Sequence, residues 1–135
     1  MGSGDDFECI TCITAQVHPG NFNASNSNNT FDNRSDDKGP EPENVVVGRV
    51  GDRQLAMVAL ERIGGVMVYD VSDPQAPVFQ HYLTTRAFSG SVIGPDSGPE
   101  GMAFVPAAQS PTGRPLLAVG NEVTGTVNLW GVTSP

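Results

Sequence analysis

From residue 45 onward the chain alternates short apolar runs with breaks rich in glycine and proline. Residues 45–50 and 102–106 have strand length and β-branched or aromatic content. Residues 54–60 (Gln54-Leu55-Ala56-Met57-Val58-Ala59-Leu60) and 115–119 (Pro115-Leu116-Leu117-Ala118-Val119) are nearly continuous apolar runs. Such runs predict strands covered on both faces. Gly64-Gly65 and Thr124-Gly125 predict tight turns. Val66, Val68 and Val71, and likewise Val127, Leu129 and Val132, predict a third strand in each unit. Asp73-Pro74 then breaks the ladder, and residues 77–84 supply a fourth strand. The second unit ends at Pro135, the counterpart of Pro74, before any fourth strand.

The two halves repeat. Pro42-Glu43-Asn44-Val45 aligns with Pro99-Glu100-Gly101-Met102 at an offset of 57 residues, and the stretch from Glu61 to Val71 aligns with that from Glu122 to Val132 at an offset of 61. The difference falls at the hairpin tips, where Val50-Gly51-Asp52-Arg53 is short and Gln109-Ser110-Pro111-Thr112-Gly113-Arg114 is long. Loops tolerate such insertions. Four-stranded units at this spacing predict an all-β fold of antiparallel β-propeller blades. About two blades are expected: residues 45–84 form the first, and residues 85–135 a second, incomplete one.

The N-terminal third differs. Residues 1–17 read as a tag-like start, Met1-Gly2-Ser3-Gly4, followed by one strand over residues 7–17. Residues 18–44 form an Asn/Asp-rich loop. Loops of that length are uncommon in compact domains and usually functional or disordered. Asn23-Ala24-Ser25, Asn28-Asn29-Thr30 and Asn33-Arg34-Ser35 each match the glycosylation acceptor pattern, which matters only in a eukaryotic secreted protein. An incomplete second blade leaves residues 126–132 as an open edge, expected to be covered by the strand at 7–17 or by another molecule.

Composition narrows the function. A net charge of −8 argues against nucleic acid, whose phosphates require a basic face. No apolar run approaches the ~20 residues of a membrane span. Open strand edges make copies of the chain expected partners. Cys9 and Cys12 form a CxxC whose β-branched flanks do not suit a redox helix. A structural zinc site needs four ligands, and His18 and His81 are the only histidines.

The densest chemistry lies in Asp32-Asn33-Arg34-Ser35-Asp36-Asp37-Lys38-Gly39-Pro40-Glu41-Pro42-Glu43. Five carboxylates within twelve residues are the ligand type that hard cations such as Ca²⁺ take. The spacing is not that of an EF-hand, because Arg34 occupies the third position and Asp37 the glycine position. Two readings stand: a solvated acidic turn, or a Ca²⁺ site with Asp36, Asp37 and Glu41 as ligands and Asp32 or Glu43 in support. Glu43 and Glu100 start equivalent strands, either as cation ligands near a common axis or as acceptors of backbone N–H bonds. Glu61 and Glu122 precede equivalent turns and read as structural.

Asn23-Ala24-Ser25-Asn26, the acidic stretch above, Leu60-Glu61-Arg62-Ile63-Gly64-Gly65-Val66-Met67-Val68-Tyr69-Asp70, Gly98-Pro99-Glu100-Gly101 and Asn121-Glu122-Val123-Thr124-Gly125-Thr126 together resemble the C-terminal part of the choice-of-anchor I β-propeller proteins. The resemblance covers about residues 20–132. It implies a propeller of about seven blades, of which this chain is a fragment with the remaining blades as its partners and residues 1–17 carrying the outer strand of a preceding blade, and an extracellular or cell-surface location. It also connects the chain to atypical alkaline phosphatases and to mesenchyme-specific cell-surface glycoproteins. Two functions follow as expectations: a cation-binding scaffold or interaction module, or part of a metal-dependent phosphoester hydrolase. The second requires metal-held water or a nucleophile, and no complete catalytic constellation is present in this chain.

Overall fold

The computed structural model describes residues 5–13, 19–88 and 94–133. Seven strands form two antiparallel meanders. Sheet A runs β1 (Pro42–Val50), β2 (Arg53–Leu60), β3 (Val66–Asp70) and β4 (Val78–Leu83), in that spatial order. Sheet B runs β5 (Pro99–Val105), β6 (Leu116–Asn121) and β7 (Thr126–Gly131). The seven strands predicted from residue 45 onward are present, and β1 and β5 begin three residues earlier than the apolar pattern indicates.

The register confirms the repeat. Val47 pairs with Ala56 and Ala56 with Tyr69; at the same places Phe104 pairs with Leu117 and Leu117 with Trp130. Each first strand carries a bulge at the same point, between Pro42 and Asn44 and between Pro99 and Gly101. Glu43 and Glu100 are thus the unpaired bulge residues of equivalent strands. A bulge re-aims the side chain it carries.

The strand expected over residues 7–17 is corrected. Asp6–Ile13 is an α-helix, α1, while residues 14–17 lie outside the described residues. The Asp5 carbonyl accepts the Cys9 N–H (2.9 Å). Asp6 and Glu8 sit in the first turn, where carboxylates complement the positive end of the helix dipole. Thr11 donates back to the Phe7 carbonyl (2.7 Å). Phe7 and Ile10, three residues apart, land on one helix face and pack on sheet A with Leu60, Met67 and Tyr69. Phe7 meets Tyr69 edge-on at 6.2 Å. Tertiary burial at helical spacing has overridden a weak β propensity. Cys9 and Cys12 are free and exposed on this helix. The helix therefore covers a face of sheet A and not the open edge of β7.

Two apolar cores result. One lies between α1, the residue-24 loop and the outer face of sheet A. The other lies between the sheets, with Val46, Val50, Leu55, Met57, Val66 and Val68 meeting Met102, Phe104, Leu117, Val119, Trp130 and Val132. The contact is tightest at Gly48, where an added Cβ would stand 2.4 Å from the Phe104 ring. Gly48→Val is therefore expected to destabilise the fold by about 2–3 kcal/mol in urea unfolding, as overpacking does. Phe104→Ala in the same chain should recover part of that loss if the clash is the cause.

Sheet B has a second face, marked by three register rows: Gly101–Gly120–Val127, Ala103–Ala118–Leu129 and Val105–Leu116–Gly131. None of these residues is buried, and Val127 and Leu129 are 71% and 70% exposed. The corresponding face of sheet A is the one that sheet B covers. β6 is consequently buried on one side only, unlike β2.

Candidate functional site

The polar loop after α1 is tied down by its own hydrogen bonds. The Asp32 N–H donates to the Phe22 carbonyl (2.7 Å) and the Arg34 N–H to the Asn23 carbonyl (3.1 Å). Asn23 is fully buried, and its amide donates to Glu8 Oε1 (3.2 Å) and Ser35 Oγ (2.7 Å). Of the three glycosylation patterns, the one at Asn23 is therefore closed to modification in the folded chain.

Where the loop enters β1, Glu41 occupies the position of Gly98 in the second unit. Glu41 has φ 54° and Gly98 φ 73°. The equivalence extends to the backbone, because Glu61 N–H donates to Glu41 O (2.9 Å) as Glu122 N–H donates to Gly98 O (2.7 Å). A left-handed conformation suits glycine and costs other residues about 1–2 kcal/mol. Glu41 is held there by charge. Its carboxylate is buried, bonded to Arg62, paired with Lys38 Nζ (2.9 Å), and 3.7 Å from Arg34 Nη2. Burial alone would raise its pKa; hydrogen bonds from Lys38 and Arg62 reverse this and hold the carboxyl below its ordinary value.

Glu61 lies beside it. Arg62 Nη1 contacts Glu61 Oε1 at 2.7 Å, and Asn26 Nδ2 donates to the same oxygen at 2.9 Å. Burial pushes the Glu61 carboxyl up; Arg62 opposes this, while Glu41, Glu43 and Glu122 add to it. Glu41, Glu43 and Glu61 each present a carboxylate oxygen within 4.8 Å of the others. Among the described residues this is the one group of three or more histidine, cysteine or acidic side chains in mutual metal-binding range.

Of the residues expected to bind a cation, Glu41 and Glu43 join this group. Asp32, Asp36 and Asp37 are exposed on the loop. Asp32 accepts from Ser35, and Asp37 pairs with Arg34 (2.7 Å). Glu100 is exposed at the equivalent bulge of sheet B, where Gly98 leaves it without a Glu41 counterpart. The sequence reading left out Glu61 as a ligand. The signal was the repeat itself, in which a glutamate replaces the glycine beside an otherwise symmetric pair.

Arg86 also bears on this loop. It is buried, and its guanidinium donates to Arg62 O (2.6 Å), Ile63 O (3.2 Å), Ser25 O (2.6 Å), Asn28 O (2.8 Å) and Asn29 Oδ1 (3.0 Å). It thereby fastens the loop to the turn bearing Glu61 and Arg62. His81 lies elsewhere, on β4 in the cleft between the sheets, and His18 lies outside the described residues. Among the described residues, no helix is long and apolar enough to cross a membrane.

Gigasin-3a of Magallana gigas is 34% identical to this chain over 117 residues, covering 79% of this chain and 41% of that protein. The chain thus spans less than half the length of that relative. No solved structure matches it. Residues 1–74 match the Choice-of-anchor I domain, and the chain belongs to that family.

Proposed function

We propose that this chain is a non-catalytic scaffold segment of a surface-associated β-propeller and that it takes Ca²⁺ at Glu41, Glu43 and Glu61. The observation that carries the cation is the convergence of three carboxylates within 4.8 Å, one of them pushed up by burial and by its acidic neighbours. A divalent cation relieves that cost as a proton does. Arg62 already bridges Glu41 and Glu61, so Ca²⁺ must displace it from Glu61. Affinity should therefore be modest, on the order of 10⁻⁴–10⁻³ M, as in extracellular calcium modules. Mg²⁺ should substitute poorly, since it demands octahedral geometry.

The propeller reading rests on the faces. Sheet A meets sheet B with non-equivalent faces, which is heterologous packing. Repeated, such packing closes a ring or extends without limit. The apolar open face of sheet B then awaits a further sheet presenting residues like Met102, Phe104 and Trp130.

The test is a melting curve with and without Ca²⁺. At a concentration tenfold over Kd, one site should add about 1.4 kcal/mol, a rise in Tm of a few degrees. The variant Glu43→Gln/Glu61→Gln should lose this rise, and Asp36→Asn/Asp37→Asn should keep it. The reading fails if millimolar Ca²⁺ leaves the unsubstituted chain unmoved, or if the Asp36/Asp37 pair alone abolishes the response.

A further inference from the structure

Cys9 and Cys12 are the two cysteines of the chain, and both are free and exposed. In a strand, residues three apart point to opposite faces, and their sulfurs cannot meet. The helix α1 removes that obstacle. Residues three apart on a helix are neighbours, with Cβ atoms about 5–6 Å from each other. Asp5, Asp6, Cys9, Cys12 and Ile13 are exposed, while Phe7 and Ile10 pack on sheet A and Thr11 is buried. Neither sulfur therefore serves the core, and both are open to a reagent.

A disulfide needs Cβ atoms about 3.5–4.5 Å apart. Closing the pair must therefore draw one helical turn together by about 1–2 Å. α1 has eight residues, too few to hold a helix without packing, and the turn in question faces solvent. The turn yields at a cost, and a strained, exposed disulfide is easily reduced. Such a pair suits exchange and not stapling. Charge then selects the reagent. Asp5 and Asp6 are exposed beside the pair, and the chain carries a net charge of −8. A cationic disulfide is drawn to this surface and an anionic one is repelled.

We propose that Cys9 and Cys12 form a reversible thiol–disulfide exchange site whose substrate is a positively charged disulfide. One cysteine thiolate attacks a sulfur of that disulfide. The S–S bond breaks, one thiol leaves, and a mixed disulfide holds the other half on the helix. The second cysteine thiolate attacks the protein sulfur of this mixed disulfide, and the second thiol leaves. Two electrons pass from the cysteine pair to the reagent, and the two protons that the cysteines give up end on the two leaving thiols. The reverse sequence restores the dithiol. This inference rests on α1 and is independent of the calcium proposal.

The probe is cystamine, a doubly cationic disulfide, added to the whole folded chain in the presence of chelator, stopped with acid and followed by intact mass. Expected is a monomer lighter by two hydrogens and free of adduct, which millimolar cysteamine returns to the dithiol. In the closed form the amides of residues 9–13 should exchange hydrogen faster, while Val66–Asp70 keep their protection. Cys12→Ser should stop at one cysteamine adduct on Cys9. At low ionic strength cystamine should react several-fold faster than oxidised glutathione, which is anionic, and added salt should narrow that ratio. Six outcomes overturn the proposal: no reaction; two adducts on one chain, which means sulfurs that cannot meet; a disulfide-linked dimer; a closed bond that survives millimolar cysteamine, which means a staple; protection lost at Val66–Asp70, which means that closure needs the unfolded chain; or a ratio between the two reagents that salt leaves unchanged.

Discussion

Arg86→Met is expected to destabilise the protein by about 3–4 kcal/mol in guanidinium unfolding. The side chain is buried and makes five hydrogen bonds, four of them to backbone carbonyls. It also lies 4.8 Å from the centre of the Phe88 ring. Methionine keeps much of the volume and supplies no donors. Each buried carbonyl left unsatisfied costs about 1–3 kcal/mol, less what relaxation of the loop toward water recovers. Burial lowers the Arg86 pKa to about 10, so the guanidinium is still charged at neutral pH and its removal also relieves a desolvation cost. That offset keeps the net loss below the sum of the bonds. Arg86→Lys should recover less than half, because an ammonium cannot reach both sides of the fork. Hydrogen exchange should show the amides of residues 25–29 opening first. A loss under about 1 kcal/mol would mean that the loop is fastened elsewhere.

Glu41 should give the second largest effect, and one that changes with pH. Glu41→Gln at neutral pH removes the buried charge that Arg62 and Lys38 share and leaves Arg62 with Glu61 alone, and a hydrogen bond to a charged group is worth about 1.5–3 kcal/mol. A loss of about 2–3 kcal/mol is expected. Glu41→Gly should lose less, because glycine relieves the left-handed backbone. Glu41→Ala should lose most, since it keeps the strain and removes the carboxylate. The two glutamates respond to acid in opposite senses. The folded pKa of Glu41 is lowered, so its contribution is complete above the unfolded value and is lost as pH falls through the folded value. The folded pKa of Glu61 is raised, so folding takes up a proton there and stability rises as pH falls through that folded value toward the unfolded one. Stability should therefore climb slightly on mild acidification and then drop. Glu61→Gln should erase the climb, and Glu41→Gln should flatten the drop.

The sheets were legible in the sequence because they repeat. Offsets of 57 and 61 residues place Glu43 on Glu100 and Tyr69 on Trp130, and the ladders carry the same equivalence. Residues 7–13 were misread because β-branched Ile10, Thr11 and Ile13 suggest a strand, whereas the informative spacing was that of Phe7 and Ile10. Only packing on Tyr69 decides between the two. The acidic stretch was legible as chemistry and not as geometry. The five carboxylates close in sequence do not all converge: Arg34 stands between Asp37 and Glu41, Asp32 accepts from Ser35, and neither aspartate joins the group around Glu41. Their place is taken by Glu61, twenty residues along the chain, and a hairpin register brings it there. Arg86 was unreadable for a related reason: four of its five acceptors are backbone carbonyls, which have no sequence signature.

Calcium is proposed to sit where the loop meets sheet A. The most direct measurement is a Ca²⁺ titration followed by the side-chain carboxyl carbon resonances of the glutamates and aspartates. Glu43 and Glu61 are predicted to shift together, with Glu41 following, and to saturate near millimolar concentration while Asp36 and Asp37 stay in place. Shifts confined to Asp32, Asp36 and Asp37, or no saturating shift at any carboxyl, would contradict it.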